Sequence, residues 1–318
     1  MSRRPSLSYT IVAALSLALL SADHATADES RTAIASPPIV DRKHTIVIGR
    51  VSDNPSKHMP RVEAMAGYLA ERLAPLGITA GAAVIAADND QMVEFLRNGT
   101  VDVVSETILS ALKFTEEAGA EILLREWKRG APTYRTVFFT RRDSDITSLS
   151  DLRGRTLAFE DPGSTSAFLV PLAMLRQEGL RAAEIRTPRS KAAEDMVGYG
   201  FAGGEANIAA WVHRGMADAG AFNNQDWAER TPHAMKPDLR VFHEGEPVIR
   251  SLLLVRRGLA PEMKAALSDV LTTMHENPEA AEVLTRAKVS RYDQITDTER
   301  QHLDRAMELY ALVHEEVG

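Results

Sequence analysis

From residue 44 onward, short apolar runs alternate with stretches whose apolar residues recur every three or four positions. "HTIVIG" at 44–49 reads as a strand. After the loop "RVSDNPSKHMP", the spacing of Val62, Met65, Ala66, Leu69 and Leu73 predicts a helix over 60–73 with Pro60 in its first turn. "GITAGAAVIA" gives a second strand. Asp90 is then expected to cap a helix carrying Met92, Val93 and Leu96, which Asn98-Gly99 ends, and "VDVV" at 101–104 is a third strand. The pattern repeats with the strand "RTLAF", a helix over 165–178 stopped by Gly179, a helix over 206–214 stopped by Gly215, and the strand "ADAGAF". Pro171 falls inside the first of these helices and should kink or divide it. Such alternation predicts an α/β fold, a parallel sheet covered by helices.

Two segments resemble one another. "RTVFFTRR" at 135–142 and "IRSLLLVRR" at 249–257 are apolar runs closed by an arginine pair, and the second alternating block lies between them. The simplest geometry makes them crossover strands, so that 44–135 forms a first lobe and 136–248 a second. Residues 249–318 then return as a strand and C-terminal helices, broken at Asn277-Pro278, that pack on the first lobe.

Composition narrows the setting. Arg3 and Arg4 precede an apolar run at 11–20, and Ala25-Thr26-Ala27 offers a small-x-small cleavage pattern, so 1–27 reads as a cleavable export signal and 28–43 as a flexible leader. The run is too short for a membrane span, which needs about 20 apolar residues. With no cysteine, the chain has neither a disulfide framework nor a thiol for lipid attachment. These features point to a freely diffusing periplasmic protein, expected to be a monomer. A formal net charge of -7 argues against nucleic acid as a partner, and no His/Asp/Glu cluster shows metal-ligand spacing. No cofactor is expected.

"SLSDLRGRTLAFEDPGSTSAFLVPLAML" resembles the signature of the phosphate/phosphite/phosphonate-type (PhnD-like) substrate-binding proteins of ABC transporters, and the order of "VDVV", "TYRTVFFTRRDS" and "GMADAGAF" fits as well. The resemblance covers about 45–257 and implies the two-lobed periplasmic-binding-protein fold of the second topological type, hinged at the two crossovers. It also implies a small oxyanion ligand, an inner-membrane ABC permease as partner, and binding of phosphonate oxygens by Ser164, Thr165 and Ser166. Two positions depart from the family. Ser105-Glu106-Thr107 stands where Gly-Pro and an aromatic are usual, and Glu205 stands where a histidine is common.

The residues themselves support an anion cradle at Ser164, Thr165 and Ser166. One hydroxyl suffices to cap a helix, whereas three beside exposed N–H groups and a positive dipole end suit an oxyanion. A serine nucleophile is the weaker reading, because "PGSTSAF" lacks the second glycine of Gly-x-Ser-x-Gly and no histidine is tied to it. Ser52 and Asp53 follow the first strand, where open α/β sheets bind ligands. Tyr134 opens the first crossover, and Asn223 follows "ADAGAF" with both donor and acceptor groups. Glu106, Thr107 and Glu205 complete the candidate set; their carboxylates opposite the hydroxyls suit a zwitterionic, amine-bearing phosphonate. Delivery to an importer is the primary expectation, and a ligand-sensing module for a receptor kinase is the alternative.

Overall fold

The computed structural model describes residues 41–316 except Asp53, Pro188, Arg189 and Lys191, so the export signal and most of the leader lie outside the described residues. Strands β1 (Thr45–Val51), β2 (Ala80–Ala86) and β3 (Val103–Thr107) pair in parallel, with β1 in the middle. Helices α1 (Pro55–Arg72), α2 (Asn89–Arg97) and α3 (Ile108–Ala118) connect and cover them. Gly81 lets α1 press on β2, since a Cβ there would sit 2.1 Å from the Ala66 carbonyl oxygen. β4 (Glu121–Lys128) then leads to the short strand β5 (Thr133–Tyr134).

The second sheet is built from β6 (Thr136–Arg141), β7 (Thr156–Phe159), β8 (Arg181–Glu184), β9 (Met196–Phe201), β10 (Ala219–Asn223) and β11 (Leu239–Glu244). Its strand order is β11-β6-β10-β7-β9-β8, with the last four strands parallel and β6 antiparallel to both of its neighbours. Helices α4 (Val170–Gln177), α5 (Glu205–His213) and α6 (Asn224–Arg230) flank it. The chain returns through β12 (Val248–Ile249) and β13 (Ser251–Val255), then α7 (Pro261–Thr273), α8 (Ala281–Ala287), β14 (Val289–Asp293) and α9 (Arg300–Val313). The first sheet is therefore ordered β14-β4-β13-β3-β1-β2.

The expected parallel sheet becomes two mixed sheets, each with a block of parallel strands running to one edge and antiparallel strands at the other. The arginine-tailed segments do join the lobes, but the crossover itself is narrower than either. β5 and β12 pair antiparallel, Tyr134 opposite Val248, while β6 belongs to the second sheet and β13 to the first. The arginine pairs end up at the far ends of those strands, where Arg142 Nε donates to the Pro237 carbonyl and Arg256 Nε to Asp102 at 2.8 Å. Three smaller boundaries also move. α1 begins five residues early because Asn54 caps it and Pro55 occupies its first turn. Asp88, not Asp90, caps α2, accepting from the Gln91 N–H at 2.8 Å. The C-terminal segment contains an edge strand, β14, as well as helices.

Apolar packing seats both sheets. Phe139 and Phe222 in the second lobe are fully buried with ring centroids 4.8 Å apart. Helix α9 lies against α3 of the first lobe and α4 of the second, with Leu309 and Val313 buried between them.

Candidate functional site

Parallel strands leave their carboxyl ends open to ligands, and here both sheets aim such ends at one cavity of about 370 Å³. Arg50 comes from the end of β1, Thr107 from the end of β3, Lys128 and Arg129 from the end of β4, and Asn223 from the end of β10. Lys57, His58 and Arg61 come from the first turns of α1; Glu205 opens α5, and Asp226 and Arg230 lie on α6. Tyr134 and Arg250 flank the crossover, and Lys288 follows α8.

The inner end carries hydroxyls. "STSAFLVP" does not start as an α-helix: Thr165–Leu169 is a π-turn, in which the Leu169 N–H donates to the Ser164 carbonyl at 3.0 Å. Pro171, lacking an N–H, then sits in the first turn of α4, so the proline divides the predicted helix. Such wide turns recur at functional sites. Here the turn separates the three hydroxyls. Ser164 accepts from the Ala167 N–H at 3.2 Å and donates to Glu160 at 2.7 Å. Thr165 is buried, its Oγ1 2.8 Å from Thr107 Oγ1. Ser166 lines the cavity; its oxygen accepts from Asn223 Nδ2 at 3.0 Å, and its own proton has no acceptor among the described residues. Asn223 is held in turn, because its Oδ1 caps α6 by accepting from the Asp226 N–H at 3.0 Å.

Positive charge dominates the remainder. Eight arginines and lysines line the cavity against two carboxylates, in a chain whose net charge is -7. Both carboxylates are engaged. Glu205 bonds Arg230 at 2.9 Å, and Asp226 bonds Arg129 at 2.8 Å and Arg230 at 2.9 Å. Arg50, Lys57, Arg61 and Lys288 make no ion pair among the described residues. Their positive field and the burial of the site act together on neighbouring groups. Burial, with Arg50, Arg61 and Lys57 close by, pushes His58 down to about 4, so its ring is neutral at physiological pH. Arg61 and then burial push the Lys288 ammonium below its usual range, and burial does the same to Arg250. Among the described residues, three buried polar atoms of the lining have no hydrogen-bond partner: Arg50 Nε, His58 Nδ1 and the Tyr134 hydroxyl. Arg129 and Lys288, at φ 52° and 58°, are the non-glycine residues with left-handed backbone among the described residues, and the Arg129 N–H donates to the Lys288 carbonyl at 2.9 Å. Strained backbone of this kind gathers at functional sites.

Of the residues singled out from sequence, Thr107, Tyr134, Ser166, Glu205 and Asn223 line the cavity. Ser164 and Thr165 stand behind it. Glu106 accepts the Val51 N–H at 3.0 Å, and Ser52 accepts the Asn54 N–H at 3.0 Å; neither lines the cavity. Asp53 lies outside the described residues. Sequence reasoning missed the cations. "NPSKHMPR" and "WKRG" each carry a basic pair after a strand, and that position relative to a parallel sheet is the signal that could have found them.

Residues 48–299 match a family model described as ABC transporter, phosphonate, periplasmic substrate-binding protein. The chain belongs to this family. Its members bind ligands and are not enzymes, so the serine-nucleophile reading of Ser164 falls away. A phosphate-import protein PhnD of Mycolicibacterium smegmatis is 33% identical over 138 residues, 42% of each chain. The phosphonates-binding periplasmic protein of Escherichia coli is 24% identical over 69% of this chain. The matched regions span 42% and 63% of those two relatives. Among solved structures, XAC2383 from Xanthomonas citri bound to ATP is 33% identical with a TM-score of 0.79, covering 86% of this chain and 100% of that one; the same protein has been solved bound to chloride. PhnD1 from Prochlorococcus marinus in complex with methylphosphonate, 16% identical with a TM-score of 0.59 and covering 83% and 97% of the two chains, shares the fold.

Proposed function

We propose that this protein captures a multiply charged phosphorus oxyanion in the periplasm and delivers it to an ABC permease, reaching that compartment through the export signal at 1–27. The observation that carries this reading is the set of unpaired cations and unpartnered donors around a cavity in an otherwise acidic chain. Closely packed like charges destabilise the empty site, and an anion relieves that repulsion when it binds. Ser166, Thr107, Tyr134 and Arg250 are the donors at the inner end, and Asn223 orients Ser166. The curated relatives named for phosphate and phosphonate, and the ATP-bound relative, support a phosphoryl-bearing ligand.

A zwitterion fits this cavity poorly. The two carboxylates that would receive an ammonium group are occupied, Glu205 by Arg230 and Glu106 by the Val51 N–H. At 4 Å and an effective dielectric near 20, each unpaired cation would repel an amine by about 4 kcal/mol.

A thermal-shift panel of phosphate, phosphite, methylphosphonate, an aminoalkylphosphonate and an alkylsulfonate tests the proposal. Ligand at about 100 times its Kd should stabilise by about 2.7 kcal/mol. Phosphorus oxyanions should raise the melting temperature more than the sulfonate, and the aminated phosphonate should have no advantage. A panel in which no phosphorus oxyanion shifts the transition overturns the reading.

A further inference from the structure

The cavity is larger than one phosphoryl group requires. Its volume of about 370 Å³ corresponds to roughly a dozen water molecules at ~30 Å³ each. A lone phosphate or methylphosphonate at the hydroxyl end leaves most of that space to solvent.

The cations are also graded in depth. Arg250 and Tyr134 are buried at the inner end, with the Arg250 guanidinium carbon 5.7 Å from the Tyr134 ring centre. Arg50 and Arg61 are half-buried, and Lys57 and Lys288 are exposed at the mouth. The inner donors suffice for one phosphoryl group: the Ser166 proton, a proton of the Thr107–Thr165 pair, the Tyr134 hydroxyl and Arg250. That leaves four unpaired cations outside them. Steering of the ligand would explain the exposed lysines. It does not explain a buried Arg50 Nε without a partner, which costs free energy until an acceptor arrives.

Resting on the phosphorus-oxyanion reading, we propose that Arg50, Lys57, Arg61 and Lys288 form a second anion subsite, and that the ligand this cleft selects carries two linked phosphoryl groups. One group would sit at Ser166, Thr107 and Arg250, and the other between α1 and the turn after α8. The recognised chemistry is a diphosphate, whether inorganic or at the end of an organic ester. Lys288 is suited to contribute because its left-handed backbone fixes where its side chain leaves the turn after α8.

Calorimetry on the full chain, with phosphate, methylphosphonate, pyrophosphate and ADP, decides the matter. The wild type should bind pyrophosphate or ADP at least about tenfold more tightly than phosphate. Pyrophosphate and ADP separate an inorganic ligand from an ester. Lys57→Gln/Arg61→Gln should weaken both ligands, with the diphosphate losing at least about tenfold more than phosphate. Lys288→Asn, which keeps a side chain tolerant of positive φ, provides an independent variant should α1 be disturbed, and should show the same selective loss. Equal wild-type affinity for mono- and diphosphates overturns the subsite, as does an equal loss for both ligands in the variants, the mark of steering alone. Failure of every phosphorus compound to bind the wild type would instead sink the functional reading on which it rests.

Discussion

Arg129 Nη1 lies 2.8 Å from Asp226 Oδ1, and this bond joins the end of β4 in one lobe to α6 in the other. Thr107 and Thr165 make a second tie across the cleft, at 2.8 Å. Three of these four side chains, Thr107, Arg129 and Asp226, also line the ligand cavity, which couples closure to binding.

Breaking the ion pair should loosen closure more than it weakens the fold. In Arg129→Asn, Asp226 keeps Arg230 and Asn223, so the stability loss should stay near 1 kcal/mol. The replacement tolerates the left-handed backbone at this position. Small-angle scattering of the ligand-free variant should show a larger radius of gyration than wild type. An unchanged radius would mean that the pair does not hold the lobes.

Ser164 and Ser166 should respond differently to removal of their hydroxyls. Ser166→Ala deletes a donor to the ligand, and a hydrogen bond to a charged group is worth about 1.5–3 kcal/mol, or roughly tenfold to a hundredfold in Kd. Ser164→Ala deletes a cap and should lower stability by about 1 kcal/mol with a smaller effect on affinity. Calorimetry paired with thermal melts separates the two, and wild-type affinity in Ser166→Ala would refute its role.

Stability should fall as pH rises from about 5 to 7. Burial pushes Glu160 up to about 7, and Glu205, Asp161 and Asp226 add to the effect against the opposing bond from Ser164. With the folded value above the unfolded one, the folded protein holds a proton that the unfolded chain releases. That stability is fully present below the unfolded value near 4.5, declines above it, and is gone once the folded group ionises. The drop should be about 1–3 kcal/mol, and Glu160→Gln should flatten this part of the melting profile. A variant with the wild-type pH slope would exclude Glu160 as its source.

Asp102 should be among the costliest carboxylates to remove. It is buried and accepts from the Val47 N–H at 2.9 Å, Arg42 at 2.9 Å and Arg256 at 2.8 Å. Asp102→Ala strands the buried Val47 N–H and takes the partner from two part-exposed arginines, and should cost about 1–3 kcal/mol in denaturant unfolding. A loss under about 1 kcal/mol would contradict this anchoring role.

Local elements were legible in the sequence because their causes are local. The helical spacing of Val62 to Leu73, the strand runs and the proline at 171 each express a rule acting within a few residues. Pairing order was less accessible: nothing between 135 and 142 distinguishes a crossover from a strand antiparallel to its neighbours, which is what most of that segment became. The cavity was half legible. The hydroxyl end lies in one continuous motif, although the π-turn that sends Ser164 backward and Ser166 inward could not be foreseen. The cationic end converges from Arg50, Arg61, Arg129, Arg250 and Lys288, which are far apart in the chain, and each alone reads as an ordinary solvated side chain.

Helix α9 gives the cleft its mechanical axis. Helix α3 packs against α9, while Arg176 on α4 donates to the Leu312 carbonyl and Arg305 reaches Gln177 at 2.7 Å. A helix clasped by both lobes behind the crossover works as a doorpost. Any swing of one lobe on the other about that post would displace groups in proportion to their distance from it, so Tyr134 and Arg250, beside the crossover that α9 touches, would travel less than Lys57 and Lys288 at the mouth.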